Sequence, residues 1–371
     1  MDKLRTWYQE FILPAGLIGS LTVGAGMFAI PYAFVQSGFL IGAFYLILFS
    51  LIFIKINTSY ANIISQKSGE YRFVGFARYH LGKPGFWTAV FAVVIGLLLV
   101  LTVYIILAGS FWNLITESNG YSPNILFWLI GSLVIVISLK RLSGLDFLTF
   151  VVMGLIITLL LILGFQNSVS APLLPSQPIG LLIPYGIVLF ALYSRSAIAP
   201  LEDYFEKKKI DWKKAKRPII WGTIVPAVFF LIFAVAVNAL SPTGISEDAV
   251  SNLIIPDFVM SIVGVLGLLA ILTSYLMLGT EIGDIITKDL RIPRWATLFI
   301  VVFVPITLYL GGISNFTTLI SVEGAIFLAT ECILVVLMNG KIMGRLSLLD
   351  KLLIAVFVFG ALYEALHVLS G

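Results

Sequence analysis

Apolar residues run through this chain in blocks longer than the core of a soluble domain requires. Bounded by charged or turn-forming residues, the blocks lie near 11–36, 39–64, 86–116, 123–139, 145–166, 179–206, 218–240, 256–287, 295–313, 317–338 and 348–369. Each reaches the ~17–25 residues that carry a helix across a bilayer, so the pattern predicts an all-α integral membrane protein with eleven transmembrane helices. The longest polar interruption, Ser65 to Gly85, is too short to fold as a separate soluble domain, so residues 1–371 are expected to form one membrane domain. The leading MDKLRTWYQE enters an apolar stretch longer than a signal-peptide core, with no polar segment behind a small-residue cleavage site, and reads as part of a retained first span.

Composition removes the soluble alternative. Of 371 residues, 60% are hydrophobic and 11% charged, against roughly 45–50% and about 25% in soluble domains. A net charge of +4 would suggest an anionic partner if the basic residues formed one patch, but they fall in alternate loops. Lys3, Arg5, Lys67, Arg72, Arg78, Lys83, Lys140, Arg141, the run 207–217, Lys288, Arg291, Arg294, Lys341, Arg345 and Lys351 share one side of the predicted topology; only Lys55 and Arg195 of the 23 basic residues fall inside spans. This asymmetry predicts a multi-pass protein of the cell (inner or plasma) membrane, with its N-terminus cytoplasmic and its C-terminus outside. Trp87, Trp112, Trp221 and Trp295 fall near span ends, where interfacial indoles belong. The run KKKIDWKKAKR (207–217) reads as a topology-setting loop, with anionic membrane lipid as its alternative partner. Basic residues so divided leave no nucleic-acid footprint, and no obligatory protein partner is evident. One cysteine, Cys332, and two distant histidines, His80 and His367, exclude a disulfide framework and the usual zinc spacings.

Two spans look interrupted. Span one carries Gly24-Ala25-Gly26 followed by Pro31, and span six carries Tyr193-Ser194-Arg195-Ser196 followed by Pro200. Paired glycines weaken a helix and proline removes a backbone donor, so both spans are expected to unwind near mid-depth. Irregular backbone at that depth is tolerated beside a cavity or within protein. The breaks lie five spans apart and so run in opposite directions, the pattern of an inverted five-helix repeat with its substrate at the breaks. Repeat one then covers about 11–166, repeat two about 179–338, and an extra helix about 348–369. Two ordinary proline kinks are the alternative.

Three stretches carry a family resemblance. Gly19-Ser20-Leu21-Thr22-Val23-Gly24-Ala25-Gly26-Met27-Phe28-Ala29-Ile30-Pro31, Ala77-Arg78-Tyr79-His80-Leu81-Gly82-Lys83 and Thr273-Ser274 resemble the first helix, the loop after span two and a hydroxyl pair in span eight of the bacterial aromatic amino acid permeases. These are related to the amino acid/auxin permeases of the amino acid-polyamine-organocation superfamily. The resemblance implies a leucine-transporter-like fold of five plus five inverted helices with an eleventh appended. It also implies proton- or sodium-coupled symport of a neutral, candidate aromatic, amino acid, without a further cofactor.

A substrate carboxylate would then sit on the free amides around Thr22, Gly24, Ala25 and Gly26, and its ammonium on carbonyls of the second break near Ser194 and Arg195. Tyr104, Phe190 and Tyr193 are candidates to line the side-chain pocket; Tyr104 also matches a tyrosine of the family's third span. By family analogy, Thr273 and Ser274 face the carbonyls of Ser20 and Val23 as a cage for a sodium ion, the only metal expected. Leu21 stands where members with another sodium site place a polar side chain. Hydroxyls in apolar helices also bond their own backbone, which is the competing reading.

Charge inside the bilayer is costly, by roughly 2.5–3.5 kcal/mol for a central arginine on insertion scales, so Arg195 must face protein or water. The family pattern does not call for an arginine there. Glu323 and Glu331 in span ten, and Glu281 and Asp284 in span eight, are its acidic counterparts, together with Glu364 in span eleven. Asp284 and Glu364, near span ends, are expected to be solvated, and Lys55 to snorkel towards the cytoplasmic interface. Glu323 is the expected partner of Arg195, forming a gate on the outer side; direct binding of the substrate carboxylate by Arg195 is the alternative. Intramembrane proteolysis needs paired aspartates, a serine-histidine pair or an H-E-x-x-H zinc site, and none is evident at membrane depth, so no enzyme is expected. A receptor or channel on the same fold remains the competing function.

Overall fold

A computed structural model describes residues 2–66, 71–116, 120–137, 143–165, 172–174 and 178–370. Lys67, Lys140 and Arg141 of the charge pattern lie outside the described residues, as do parts of the block ends at 138–139 and 166. In chain order the α-helices are α1 (Asp2–Trp7), α2 (Leu13–Thr22), α3 (Ile30–Ser37), α4 (Phe39–Ile64), α5 (Phe73–Ala89), α6 (Gly96–Thr116), α7 (Ser122–Ile137) and α8 (Ser143–Gly164). They continue with α9 (Pro184–Ala191), α10 (Ile198–Lys208), α11 (Lys216–Leu240), α12 (Asp257–Asp284), α13 (Arg294–Leu310), α14 (Phe316–Val322), α15 (Ala329–Ile342) and α16 (Leu348–Ser370).

By length and composition, six helical runs among the described residues can cross a membrane: Phe39–Ile64, Phe73–Thr116, Trp212–Leu240, Asp257–Asp289, Phe316–Ile342 and Leu348–Leu369. A bent pair, Leu4–Thr22 and Ala25–Ser37, makes a seventh, its halves 53° apart. The helices turn apolar surface outward. On α4, Leu40, Phe44, Ile47 and Leu51 form one exposed stripe of 55–64%, spaced by helical turns and suited to lipid rather than water.

Inside this shell, α12 lies against α6, and α11 against α2 and α8, while α9 packs on the turn Glu323–Leu328 between α14 and α15. Phe28 joins the core edge-on to Phe111, with ring centroids 4.8 Å apart, and to Phe233, at 5.7 Å. The end bearing the basic loops is cross-tied. Asp289 accepts from the backbone N–H groups of Arg72 (3.1 Å) and Gly75 (2.7 Å), satisfying the free donors at the start of α5. Arg72 reaches Asp284 at 3.3 Å and Asp203 at 4.0 Å, joining α5, α12 and α10.

Lys55 pairs with Asp350 at the start of α16, at 2.7 Å, so a protein partner answers its charge where snorkelling was expected. Glu364, expected to be solvated, is 5% exposed because α16 packs that face on the protein; Asp284 keeps 47% of its side chain exposed.

Candidate functional site

The first interruption begins where α2 stops at Thr22. Val23 leaves helical geometry (φ −81°, ψ 64°) and Gly24 is extended (φ −111°, ψ −151°) before a short 3₁₀ turn, Ala25–Ala29, leads into α3. The second follows α9: Leu192 and Ser194 depart from helical geometry, and a 3₁₀ turn, Arg195–Ala197, leads into α10. Pro31 is the second residue of α3 and Pro200 the third of α10. They start helices rather than break them, because a missing N–H costs nothing in a first turn whose donors are free anyway.

The two interruptions touch. A Cβ on Gly26 would lie 2.5 Å from Ala191 Cα and 2.7 Å from Phe190 Cδ1, so only glycine lets the backbones approach this closely. Between them lies a cavity of ≈ 20 Å³, room for about one water. Thr22, Gly24, Ala25, Gly26, Tyr104, Phe190 and Tyr193, all predicted from sequence, line it together, joined by Glu323. The hydroxyl of Tyr104 meets the Ala25 backbone N–H and the Ser274 side chain, covering an amide assigned to a substrate carboxylate.

Ser194 and Arg195 do not line this cavity. Asn57 donates to the Ser194 hydroxyl at 2.8 Å, and Ser194 donates to Leu192 O at 3.3 Å. Arg195, 2% exposed, turns towards the basic end of the molecule. Its Nε donates to Glu331 Oε2 at 2.7 Å and its Nη2 to Glu281 Oε1 at 3.2 Å and to the Tyr193 hydroxyl at 2.5 Å. The guanidinium also lies 4.3 Å from the centroid of Phe73 and 5.5 Å from that of Tyr60. The expected Arg195–Glu323 gate pair is therefore corrected. Glu331 and Glu281 hold the arginine, while neither oxygen of Glu323 has a hydrogen-bond partner among the described residues. The physical reason is the path of the chain: the 3₁₀ turn after Ser194 carries Arg195 beyond the cavity to the level of α15, and Glu323 stays at the cavity itself.

Of the residues assigned to a sodium cage, Ser20 through its carbonyl and Thr273 and Ser274 through their hydroxyls, two make local hydroxyl bonds. Ser20 donates to Leu17 O at 3.0 Å and Thr273 to Ala270 O at 2.9 Å. Each bond uses the hydroxyl hydrogen and leaves oxygen lone pairs. Ser274 lies beside the first interruption, 3.6 Å from where a Gly24 Cβ would stand. Val23 caps α2 by donating its N–H to Gly19 O at 2.9 Å. Among the described residues, no group of three His, Cys, Asp or Glu side chains gathers to hold a metal ion.

Asn57, Tyr60 and Phe73 escaped the sequence reading. Asn57 had a usable signal, an amide deep within an apolar block that holds Asn62 nearer its end; the two aromatics had none that set them apart from the other rings.

Paired interruptions around a small, backbone-lined cavity inside a helical membrane shell define a membrane transport protein. Residues 15–330 match the family described as transmembrane amino acid transporter protein, and the chain belongs to that family. No curated protein matches the sequence. Solved structures share the fold at low identity. MhsT in complex with L-phenylalanine is 14% identical with a TM-score of 0.70, covering 94% of this chain and 98% of that one. The Eremococcus coleocola manganese transporter, in complex with an aromatic bis-isothiourea substituted compound, is 12% identical with a TM-score of 0.65, covering 95% and 84%. Mhp1 in its inward-facing conformation is 13% identical with a TM-score of 0.55, covering 86% and 75%. The family and the manganese transporter are described by transport, not by catalysis.

Proposed function

We propose that this protein is a secondary-active transporter that moves a neutral amino acid by alternating access, together with a coupling cation. The observation that carries this reading is the meeting of the two interruptions at Gly26, Phe190 and Ala191 around a cavity lined by Gly24, Tyr104 and Glu323. Backbone amides of the first break receive the carboxylate once Tyr104 moves off Ala25, and carbonyls of the second receive the ammonium. The substrate side chain lies against Phe190, Val100 and Leu278, an apolar wall that favours an uncharged and aromatic side chain. The bound phenylalanine of the MhsT structure lends support to that choice.

Eleven spans follow if the short apolar helices α7, α8 and α13 and the interrupted pair α9–α10 each cross the membrane with the seven runs above. The basic end then faces the cytoplasm. The cavity holds about one water, too little for an amino acid, so its lining must move for substrate to enter, which supports a carrier over an open channel.

The test is a thermal-shift screen of the standard amino acids on purified protein, followed by counterflow of the best-stabilising one, labelled, in liposomes. A ligand that binds only the folded state raises apparent stability. Counterflow supports the carrier; binding without exchange would mark a receptor.

A further inference from the structure

Glu323 stands in the cavity wall with its charge unanswered. The residue is fully buried, and neither carboxyl oxygen has a hydrogen-bond partner among the described residues. It lines the cavity with Gly24, Ala25, Gly26 and Tyr104. Local backbone holds it there. A π-type turn, Glu323–Leu328, starts at this residue, and such turns recur at functional positions. A Cβ on Gly324 would strike the Gly186 carbonyl, so the turn seats directly on α9; a Cβ on Gly96 would come within 3.2 Å of Glu323 Oε1.

The groups around it leave no cation to spare. Arg195, the basic group that acts on it, is held by Glu331 and Glu281. The other titratable groups at the cavity are the Tyr104 and Tyr193 hydroxyls. Of the elements packed against the turn, α14 and the segment Val90–Ile95 carry no titratable side chain, α9 carries Tyr185, and α15 carries Glu331, Cys332 and Lys341. On α16, Asp350 pairs with Lys55, Lys351 is exposed, and Tyr363, Glu364 and His367 line a separate cavity of ≈ 380 Å³ with Tyr32 and Glu247. An ionised carboxylate at 323 has no hydrogen bond among the described residues to offset its lost hydration, whereas a neutral acid loses far less.

We propose that Glu323 carries the coupling proton. The assignment rests on the transporter reading above and fixes the coupling cation as H⁺. In the closed state that carries substrate the carboxyl is neutral, and in the empty return it crosses as a carboxylate that keeps its water. When the route to the cytoplasm opens, water reaches the cavity, the O–H bond breaks, and the proton leaves as hydronium, with the carboxylate stabilised by that water. When the outer route opens, the carboxylate takes a proton from outside water. The site then closes again over a neutral acid, and one proton has crossed with each substrate.

Two readouts in liposomes separate the possibilities: counterflow without ion gradients, using the amino acid that most raises the melting temperature, and accumulation of the same amino acid driven by an inward proton gradient. Glu323→Gln mimics the protonated acid permanently. It should lose gradient-driven accumulation by about tenfold or more and lower counterflow by a much smaller factor. Wild-type uptake should acidify a lumenal pH dye and persist when sodium is replaced by choline.

Wild-type accumulation by the Gln variant overturns the proposal, as does wild-type uptake without lumenal acidification. Loss of both counterflow and the thermal shift in Glu323→Gln, with Glu323→Asp retaining them, also overturns it and marks Glu323 as a ligand of the substrate ammonium. If the Gln variant does not fold, Glu323→Asp decides: a pH dependence of dye-reported proton entry identical to wild type in that variant overturns the assignment. If wild type exchanges no amino acid at all, it is the transporter reading that falls.

Discussion

At the level of single residues, the glycines of the first interruption separate into two kinds that the sequence motif presents as one. A Cβ on Gly24 would meet the Tyr104 hydroxyl at 2.8 Å, the movable end of a side chain; a Cβ on Gly26 would meet Ala191 Cα at 2.5 Å, which is fixed backbone. Gly26→Leu therefore attacks the packing of the two breaks and not the carboxylate site alone. Gly24→Val is the cleaner probe. It should retain a cooperative melting transition while weakening amino acid binding by about 100-fold, because the new methyls occupy the space over the Ala25 amide. Thermal shift and equilibrium binding on the two variants check this. Gly26→Leu should lose expression or melt far lower, and wild-type binding by Gly24→Val would remove the carboxylate site from this break. The motif Gly24-Ala25-Gly26 was legible because small residues before a helix start have a local backbone consequence. The difference between its glycines was not, since it depends on Tyr104 of α6 standing over Gly24 and on Ala191 of α9, more than 160 residues further along, standing against Gly26.

At the level of elements, Arg195 ties α10 to α12 and α15 through Glu281 and Glu331, and lies on Phe73 at the start of α5. Removing one member of a buried pair typically costs ~3–5 kcal/mol, because the other is left uncompensated. Arg195→Gln should therefore destabilise strongly, Glu331→Gln added to it should restore part of the loss, and Glu323→Gln added to it should restore none. A double-mutant cycle on melting temperature that couples Arg195 to Glu323 instead would reinstate the sequence-based pairing. That pairing misjudged depth. Counting residues along straight helices puts Arg195 and Glu323 within reach, but the guanidinium lies with Glu331 and Glu281 while Glu323 lines the cavity between the breaks.

The connection between α11 and α12 has its own tie. Burial alone would raise the Asp248 carboxyl, but hydrogen bonds from Ser251, Ser110 and Ser246 more than offset it and hold the group below its usual 3.8. A depressed carboxylate stabilises the folded state above its unfolded pKa, and that contribution is lost as pH falls through the folded value. Hydrogen exchange of backbone amides near Val250 and Ser251, both donors to Asp248, should therefore stay slow at neutral pH and quicken only in acid below the normal aspartate range. In Asp248→Asn the exchange should be fast at neutral pH too.

For the molecule as a whole, the apolar blocks and the loop charges were legible because both answer to one solvent, the bilayer, whose thickness sets block length and whose translocation rules set loop charge. Packing between helices was less so: side chains facing lipid and side chains facing protein are equally apolar, and α4 shows no alternation to separate its exposed Leu40, Phe44, Ile47 and Leu51 from its buried Phe49, Phe53 and Ile56. Orientation is the whole-molecule inference most open to direct test. The run 207–217 and the ties around Arg72 and Lys214 lie at one end, and the connection 241–256 between α11 and α12 at the other, since α11 runs its full 25 residues between them. Lys213 and Thr243 are exposed, and the native thiol, Cys332, is buried at 3% exposure, so introduced cysteines report against a quiet background. A membrane-impermeant maleimide should label Thr243→Cys in intact cells and Lys213→Cys only after permeabilisation. The reverse pattern would invert the protein in its membrane. It would also exchange the faces of the protein at which Glu323 takes up and releases its proton, while the inward proton gradient, which sets the direction of symport, would still drive uptake.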